Sequence, residues 1–147
     1  MRTILFVCTG NSCRSVMAAE MLKKMLVEHS SKVEVLSAGT GTIAGMRPTE
    51  CTIRVLQKYG IDASNHRSVQ LTRAMIEKSD LVLVMENFHK QRVLEIDPSA
   101  KGKVYLLREF ETDVKEVMEP EIPDPIGKPM EVYERSFELI KEGLDNL

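Results

Sequence analysis

The chain has 147 residues, of which 43% are apolar and 29% are charged, proportions typical of a soluble protein with one compact core. A formal net charge of −2 leaves no global basic field, so neither nucleic acid nor a membrane surface is an expected partner. Three cysteines are too few for a disulfide framework and favour a reducing cytoplasm. The first apolar run is too short for a signal peptide. We therefore expect a cytoplasmic protein with a single domain over residues 1–147.

The first predicted elements are a buried strand, a polar turn and a helix. Residues 3–7 are mostly apolar, which is typical of a buried strand. The stretch from Val16 to about Glu28 is rich in Ala, Met, Leu, Lys and Glu and predicts a helix. Between them lies the sequence CTGNSCRS at residues 8–15. The turn therefore connects the end of a strand to a helix N-terminus.

This turn has the composition of a phosphate-binding loop with a nucleophile built into it. Its backbone N–H groups and the positive end of the following helix form a nest for an anion. The guanidinium of Arg14 can hold two phosphate oxygens through a bidentate fork. Cys8 then lies beneath the anion, in a field that favours its thiolate. Ser15 could donate its hydroxyl to the Cys8 sulfur and stabilise it.

The turn has two other interpretations. Cys8 could be an inert buried thiol beside serines that only cap a helix. However, Gly10 and Asn11 are the residue types that best tolerate the left-handed backbone of an anion cradle, which favours the phosphate-binding interpretation. A metal site at Cys8 and Cys13 lacks a second Cys/His cluster at zinc spacing, so no metal is expected.

The rest of the chain alternates strands and helices. Further strands are predicted at residues 32–36, 80–85 and 103–107, a small-residue turn at 37–41, and helices after Pro48, after Thr72, at about 87–95 and at about 131–144. Repeated prolines exclude a helix from the stretch 111–130. The alternation predicts an α/β fold: a doubly wound, four-stranded parallel sheet with helices on both faces and the phosphate-binding loop after the first strand. Active sites of such sheets lie at the carboxyl ends of the strands.

A cysteine that attacks phosphorus needs a proton donor for the departing group. Two Asp-Pro pairs offer a carboxyl group. Asp97 directly follows a predicted helix and is interpreted as the turn that ends it. Asp124 lies in the proline-stiffened loop 122–127, where a carboxyl can be held over a cleft. We therefore predict that Asp124 is the general acid.

The chain resembles the low molecular weight protein tyrosine phosphatases over essentially its whole length. The resemblance rests on VCTGNSCRS, on SAGT after the second strand, on NHRS before the third, on SDLVLVM as that strand and on PDPIG near the end. It implies that Cys8 is the nucleophile, that Arg14 binds the phosphoryl oxygens and that Asp124 acts as general acid and then as base.

The resemblance also implies supporting roles. The residues that would surround the phosphoryl group are Thr9, Gly10, Asn11, Ser12, Cys13 and Ser15. Ser37 and His66 match residues that lock the loop through hydrogen bonds, although both would otherwise be taken as ordinary surface polar residues. Cys13 matches a second loop cysteine that forms a reversible disulfide with Cys8 and so protects the nucleophile from irreversible oxidation.

The implied reaction has two steps and passes through a phosphocysteine. Arg14 and the loop N–H groups hold the charge on the transferring oxygens, so neither a metal nor another cofactor is expected. Phosphorylated proteins are the expected substrates, inorganic phosphate is the expected product, and a monomer is the expected state.

The sequence departs from the family pattern at the walls of the substrate slot. Phosphotyrosine-selective members place aromatic side chains where this chain has Ile126 and, after SAGT, Thr42, Ile43 and Ala44. A bacterial subgroup with the loop CTGNTCRS acts on phosphoarginine, and its loop threonine selects the thinner guanidinium group. Ser12 keeps that hydroxyl without the methyl group. Both phosphotyrosine and phosphoarginine therefore remain candidate substrates, and these departures favour phosphoarginine.

Two further classes of function are alternatives. The loop also matches thioredoxin-coupled arsenate reductases, which need two more cysteines after the third strand to relay a disulfide. Between Asp80 and Leu107 the chain has no cysteine, and Cys51 falls on the predicted second helix. A non-catalytic phosphate-binding module would lack the nucleophile or the acid, and here both are present.

Overall fold

The computed structural model describes residues 2–29, 32–110 and 120–147. Its centre is a sheet of four strands: β1 (Arg2–Cys8), β2 (Val33–Gly39), β3 (Leu81–Val84) and β4 (Val104–Leu106). Their order in the sheet is β2-β1-β3-β4, and every neighbouring pair is parallel. The predicted parallel four-stranded sheet is confirmed.

Five α-helices surround the sheet in the described part of the chain: α1 (Arg14–Glu28), α2 (Glu50–Gln57), α3 (Arg73–Lys78), α4 (Asn87–Ile96) and α5 (Met130–Leu144). Alternate residues of β1 enter two separate cores. Phe6 packs with side chains of α1, α2 and α5, whereas Leu5 and Val7 pack with side chains of α3 and α4. Both faces of the sheet are therefore covered by helices, as the sequence predicts.

The second strand is longer than its pattern predicts. It pairs with β1 along seven residues, from Arg2↔Val33 to Cys8↔Gly39, and so includes three residues of the predicted small-residue turn. Small side chains suit this end of the strand because the phosphate-binding loop passes close to it. The Thr40 N–H donates to the Cys8 carbonyl at 2.9 Å, and the Gly41 N–H donates to the Thr9 carbonyl at 3.0 Å.

The prediction that Asp97 ends a helix is confirmed, because Asp97 is the C-cap residue of α4. It also caps a short 3₁₀ helix over Pro98–Gly102 by accepting the Ser99 N–H at 3.1 Å. The apolar pattern of residues 131–144 predicts that Val132 lies on the buried face of α5. The structure corrects this prediction, because Val132 is 36% exposed and its neighbour Tyr133 is buried instead. Of the stretch 111–130, from which the prolines exclude a helix, residues 111–119 lie outside the described residues and residues 120–129 form no helix. No helix in the described ranges is long and apolar enough to cross a membrane.

Candidate active site

The phosphate-binding loop begins where β1 ends at Cys8 and finishes where α1 begins at Arg14. Asn11 has a φ of 52°, which confirms the prediction of a left-handed residue there. The same prediction for Gly10 is wrong, because its φ is not positive and an added Cβ would meet only the Ser12 hydroxyl at 3.4 Å. Asn11 alone makes the left-handed turn, and its amide side chain supports it.

Asn11 is completely buried, and its side chain and carbonyl make hydrogen bonds to four other residues. Its Nδ2 donates to Ser15 Oγ at 2.7 Å and to Ser37 Oγ at 3.0 Å. Its Oδ1 accepts the Val69 N–H at 2.9 Å. Its carbonyl accepts from His66 Nε2 at 3.0 Å, so Nε2 carries the proton. Burial lowers the pKa of His66. The structure thus brings Ser37 and His66 to the loop.

Cys8 lies under the loop and is 2% exposed. Its Sγ is 2.9 Å from Ser15 Oγ. Ser15 Oγ accepts from Asn11 and keeps its own proton, which it can donate to Cys8 when the sulfur is a thiolate. The pair therefore has the geometry in which a serine hydroxyl stabilises a cysteine thiolate.

Arg14 is buried and its guanidinium is held from behind. Nη1 donates to the Glu86 carboxylate and to the Ile122 carbonyl, the latter at 2.8 Å, while Nη2 lies 3.7 Å from Asp124 Oδ2. Sequence reasoning missed Glu86. The sequence feature that could have identified Glu86 is its place just after β3. This buried strand pairs in parallel with β1, so both strands end at the same edge of the sheet. One side of the guanidinium is therefore fixed and the other faces the pocket.

Asp124 lies near the free edge of the Arg14 guanidinium, with its side chain 40% exposed. Its Oδ1 accepts the Ile126 N–H at 3.0 Å. Upstream, the completely buried Ile122 donates its N–H to the Met85 carbonyl at 2.8 Å, which docks this loop against the end of β3. The loop therefore presents the carboxyl from an anchored backbone.

A pocket of about 290 Å³ brings the predicted catalytic residues together. Its walls are formed by Cys8, Thr9, Gly10, Ser12, Cys13, Arg14, Gly41, Asp124 and Ile126. A neighbouring hollow of about 330 Å³ shares Gly10, Ser12, Gly41 and Ile126 with it, and the exposed Ile43 and Met46 line its far side. A phosphoryl group bound above Cys8 would therefore have room on this side for the rest of a larger substrate.

Cys13 is buried, with its sulfur 3.5 Å from Thr49 Oγ1 and 3.6 Å from Tyr133 Oη. Burial raises the pKa of Tyr133 to about 12, so its hydroxyl stays protonated. Cys8, Cys13 and Cys51 are all free thiols. The protective Cys8–Cys13 disulfide therefore stays a prediction.

His89 is a second polar group that sequence reasoning missed. It lies in the first turn of α4, is completely buried, and has Nε2 2.8 Å from Thr9 Oγ1. Its Nδ1 accepts the Glu86 N–H at 3.1 Å. Burial and the positive charge of Arg14 lower the pKa of His89 to about 3. The imidazole is therefore neutral at physiological pH.

The depressed pKa of His89 predicts a loss of stability in acid. In the unfolded chain His89 binds its proton near its usual pKa of about 6.5, while the folded protein resists protonation down to about 3. Between these values the unfolded state holds the extra proton, so stability falls as pH falls. Lowering the pH from 6.5 to 4.5 should remove about 2 kcal/mol through this residue. Urea unfolding of wild type and His89→Gln at both pH values measures it.

Glutamine is the matched replacement because it can accept the Glu86 N–H and donate to Thr9 without titrating. The exposed His29→Gln is the control for loss of a histidine as such, and it should keep the wild-type pH dependence. Equal pH dependence of wild type and His89→Gln would contradict the assignment.

Gly39 at the end of β2 is a third residue that sequence reasoning missed. A Cβ added there would lie 2.4 Å from the Thr9 carbonyl oxygen and 3.1 Å from the Asn11 nitrogen. Gly39→Ala should therefore push the loop backbone away, lowering the free energy of unfolding by about 1–3 kcal/mol and reducing activity. Urea unfolding and steady-state kinetics measure both effects.

Gly102→Ala is the control, because nothing lies within 4 Å of an added Cβ there. It should change the free energy of unfolding by no more than about 0.5 kcal/mol. A Gly39→Ala variant as stable and active as Gly102→Ala would show that the loop does not need this close approach.

Among the residues that the structure describes, no group of three or more His, Cys, Asp or Glu side chains could hold a metal ion. The site is built instead from a thiol, a guanidinium, a carboxyl and the N–H groups of a loop. These groups suit nucleophilic attack on a phosphoryl group, with charge stabilised by the arginine and the loop.

Comparison with known proteins agrees with this chemistry. The family model described as low molecular weight phosphotyrosine protein phosphatase matches residues 3–147. A probable low molecular weight protein-tyrosine-phosphatase of Ralstonia nicotianae is 37% identical over 144 residues, covering 98% of this chain and 92% of that protein. A protein-arginine-phosphatase of Geobacillus stearothermophilus is 38% identical, with the same coverage of both chains.

Solved structures of relatives share the fold. The arginine phosphatase of Geobacillus stearothermophilus superposes with a TM-score of 0.87, covering 99% of this chain and 90% of that chain. A low molecular weight protein tyrosine phosphatase from T. tengcongensis, 33% identical, superposes with a TM-score of 0.91 and covers 99% and 97%. The arsenate reductase alternative finds no support in these comparisons. The chain is a cysteine-dependent protein phosphatase that belongs to the low molecular weight phosphotyrosine protein phosphatase family.

Proposed function

We propose that this phosphatase hydrolyses phosphoarginine in proteins, through a phosphocysteine formed on Cys8. The observation that carries the proposal is the pocket in which Cys8, Arg14 and Asp124 meet, with no aromatic side chain among the described residues that line it. Phosphotyrosine is the second candidate substrate.

In the first step the Cys8 thiolate attacks phosphorus and forms the S–P bond. The bond from phosphorus to the leaving nitrogen breaks, and the protonated carboxyl of Asp124 gives its proton to that nitrogen. Arg14 and the loop N–H groups hold the charge on the three phosphoryl oxygens. Glu86 supports this step by fixing Nη1, so that the free edge of the guanidinium faces the phosphoryl group.

In the second step water attacks the phosphocysteine. The Asp124 carboxylate takes a proton from the water, the new P–O bond forms, and the S–P bond breaks. The electron pair returns to Cys8, which leaves as a thiolate stabilised by the Ser15 hydroxyl. Inorganic phosphate is released and the enzyme regains its starting state.

The lining of the pocket favours a guanidinium as the leaving group. A phenol ring gains from aromatic walls, whereas the large apolar side chain at this mouth is Ile126, which is 54% exposed. A guanidinium carries N–H donors that need acceptors, and the Asp124 carboxyl and the Ser12 hydroxyl lie in the same pocket. The relative from Geobacillus stearothermophilus, named a protein-arginine-phosphatase, supports this choice.

Phosphotyrosine is kept as the second candidate because the family model and the Ralstonia relative are named for it. The hollow beside the pocket, lined by Ile43, Met46 and Ile126, could accept a ring that lies against aliphatic side chains. The two substrates therefore need a direct comparison.

The test is kcat/KM of wild type for phosphoarginine and for phosphotyrosine, measured in EDTA. We expect phosphoarginine to be preferred. Ile126→Tyr should improve phosphotyrosine by about 2-fold to 10-fold, the range for one aromatic contact, without a matching gain for phosphoarginine. Ile126→Val, which keeps an aliphatic wall, is the matched control and should leave the preference unchanged. Preference of wild type for phosphotyrosine would establish the second candidate, and hydrolysis of neither would overturn the proposal.

Residues 1–147 act as one catalytic unit and as a monomer, on phosphorylated proteins of the cytoplasm. The three free thiols fit a reducing compartment, since oxidation of Cys8 would remove the nucleophile.

A further inference from the structure

The first turn of α4 holds both ends of the phosphate-binding loop. Glu86, which caps this helix, binds Arg14 at the end of the loop. His89, one turn further on, binds Thr9 at its beginning. The mechanism above uses Arg14 but gives no role to Thr9 or to the completely buried His89.

The contacts of His89 fix its tautomer. A backbone N–H can only donate, so the Glu86 N–H requires Nδ1 to be an acceptor without a proton. In a neutral imidazole the proton is then on Nε2, which donates to Thr9 Oγ1 at 2.8 Å. The low pKa of His89 agrees with the neutral ring. Thr9 is therefore the acceptor in this contact.

An accepting hydroxyl keeps its own proton for another partner. Among the described residues Thr9 Oγ1 has no second hydrogen-bond partner besides His89. Thr9 is half-buried and lines the active-site pocket, directly after the nucleophile Cys8. The oxygens of a phosphoryl group bound above Cys8 are strong acceptors for this proton.

We propose that Thr9, held by His89, donates its hydroxyl proton to a phosphoryl oxygen of the substrate. The inference rests on the proposed phosphatase function and adds a side-chain donor to the loop N–H groups and Arg14. His89 is a positioning residue, because it touches Thr9 and not the substrate. Its Nε2–H occupies a lone pair of the hydroxyl, so the donor direction is set before the substrate arrives.

The test compares Thr9→Val, which has nearly the same shape without the hydroxyl, with Thr9→Ser, which keeps it. Two quantities are measured: kcat/KM for phosphoarginine, and the dissociation constant of inorganic phosphate by calorimetry. Thr9→Val should lower kcat/KM by about 10-fold to 100-fold, the range for a hydrogen bond to a charged group, and should weaken phosphate binding. Thr9→Ser should stay within about 3-fold of wild type.

Two measurements test the positioning role of His89: whether a glutamine restores the activity lost with a leucine, and whether the effects of changing His89 and Thr9 are additive. His89→Leu should lose about as much as Thr9→Val, whereas His89→Gln, which can still accept from Glu86 and donate to Thr9, should recover most of it. The double variant Thr9→Val/His89→Leu should be no worse than Thr9→Val alone. His29→Leu, at an exposed histidine, is the control and should match wild type.

Wild-type kinetics and phosphate binding in Thr9→Val would overturn the proposal. Additive losses in the double variant, or failure of His89→Gln to rescue, would overturn the positioning role. If Thr9→Val fails to fold, the His89→Leu and His89→Gln pair decides the question. If wild type hydrolyses neither substrate, the proposed function has failed, and the phosphate-binding measurements still test the Thr9 donor.

Discussion

Cys8→Ser is expected to lower kcat/KM for every phosphorylated substrate by at least about 10⁴-fold, the scale seen when a catalytic nucleophile is removed. A serine hydroxyl is far less acidic than a thiol, and the Ser15 hydroxyl that faces Cys8 is placed to stabilise an anion, not to remove a proton. The rest of the loop keeps its contacts, because Asn11 and Arg14 are held by other residues. Inorganic phosphate should therefore still bind.

The measurements are steady-state kinetics, phosphate binding by calorimetry, and mass spectrometry of acid-quenched enzyme for a phosphorylated cysteine. Cys51→Ser is the matched control: Cys51 is half-buried on α2, is absent from the pocket lining, and should leave kcat/KM unchanged. Activity of Cys8→Ser within 10-fold of wild type would show that another group attacks phosphorus, and the phosphocysteine mechanism would be abandoned.

The sequence is most informative where the site is local. Residues 8–15 are contiguous, so strand, turn and helix patterns place Cys8 and Arg14 in one loop without any knowledge of the sheet. The same holds for the left-handed Asn11, whose side chain binds Ser15 only four residues away. The error at Gly10 has a simple cause. Glycine permits a positive φ but does not require one.

Contacts between distant elements could not be predicted in the same way. Glu86 and Arg14 are 72 residues apart, and His89 and Thr9 are 80 apart. They meet because β3 lies beside β1 in the sheet, and the alternation of strands and helices does not fix the order β2-β1-β3-β4. Ser37 and His66 were assigned only through the family resemblance, for the same reason.

Gly39 and Val132 illustrate two limits of pattern reasoning. Small residues usually indicate a turn, but Gly39 is small because the Thr9 carbonyl passes over it. On α5 the apolar pattern favours burial of Val132, yet Tyr133 is buried, with its hydroxyl 3.6 Å from the Cys13 sulfur. In both cases a neighbour from another element decides which side chain fits.

Asp124→Asn is expected to lower kcat/KM for phosphoarginine by about 10²-fold to 10⁴-fold, the usual contribution of a positioned general acid. An amide cannot supply the proton that the departing guanidine nitrogen needs. The local structure should persist, because the side-chain Oδ1 of asparagine can still accept the Ile126 N–H. The loss therefore reports proton transfer and not a displaced loop.

The dependence on the leaving group separates general acid catalysis from a merely electrostatic role of the carboxyl. Since kcat/KM reports the steps up to departure of the leaving group, p-nitrophenyl phosphate, whose leaving group needs little protonation, should lose much less than phosphoarginine in Asp124→Asn. Asp145→Asn, at the exposed end of α5, is the matched carboxyl control and should behave as wild type with both substrates. Equal losses for the two substrates would mean that Asp124 acts through its charge on Arg14, which lies 3.7 Å away, and the proton donor would have to be sought elsewhere.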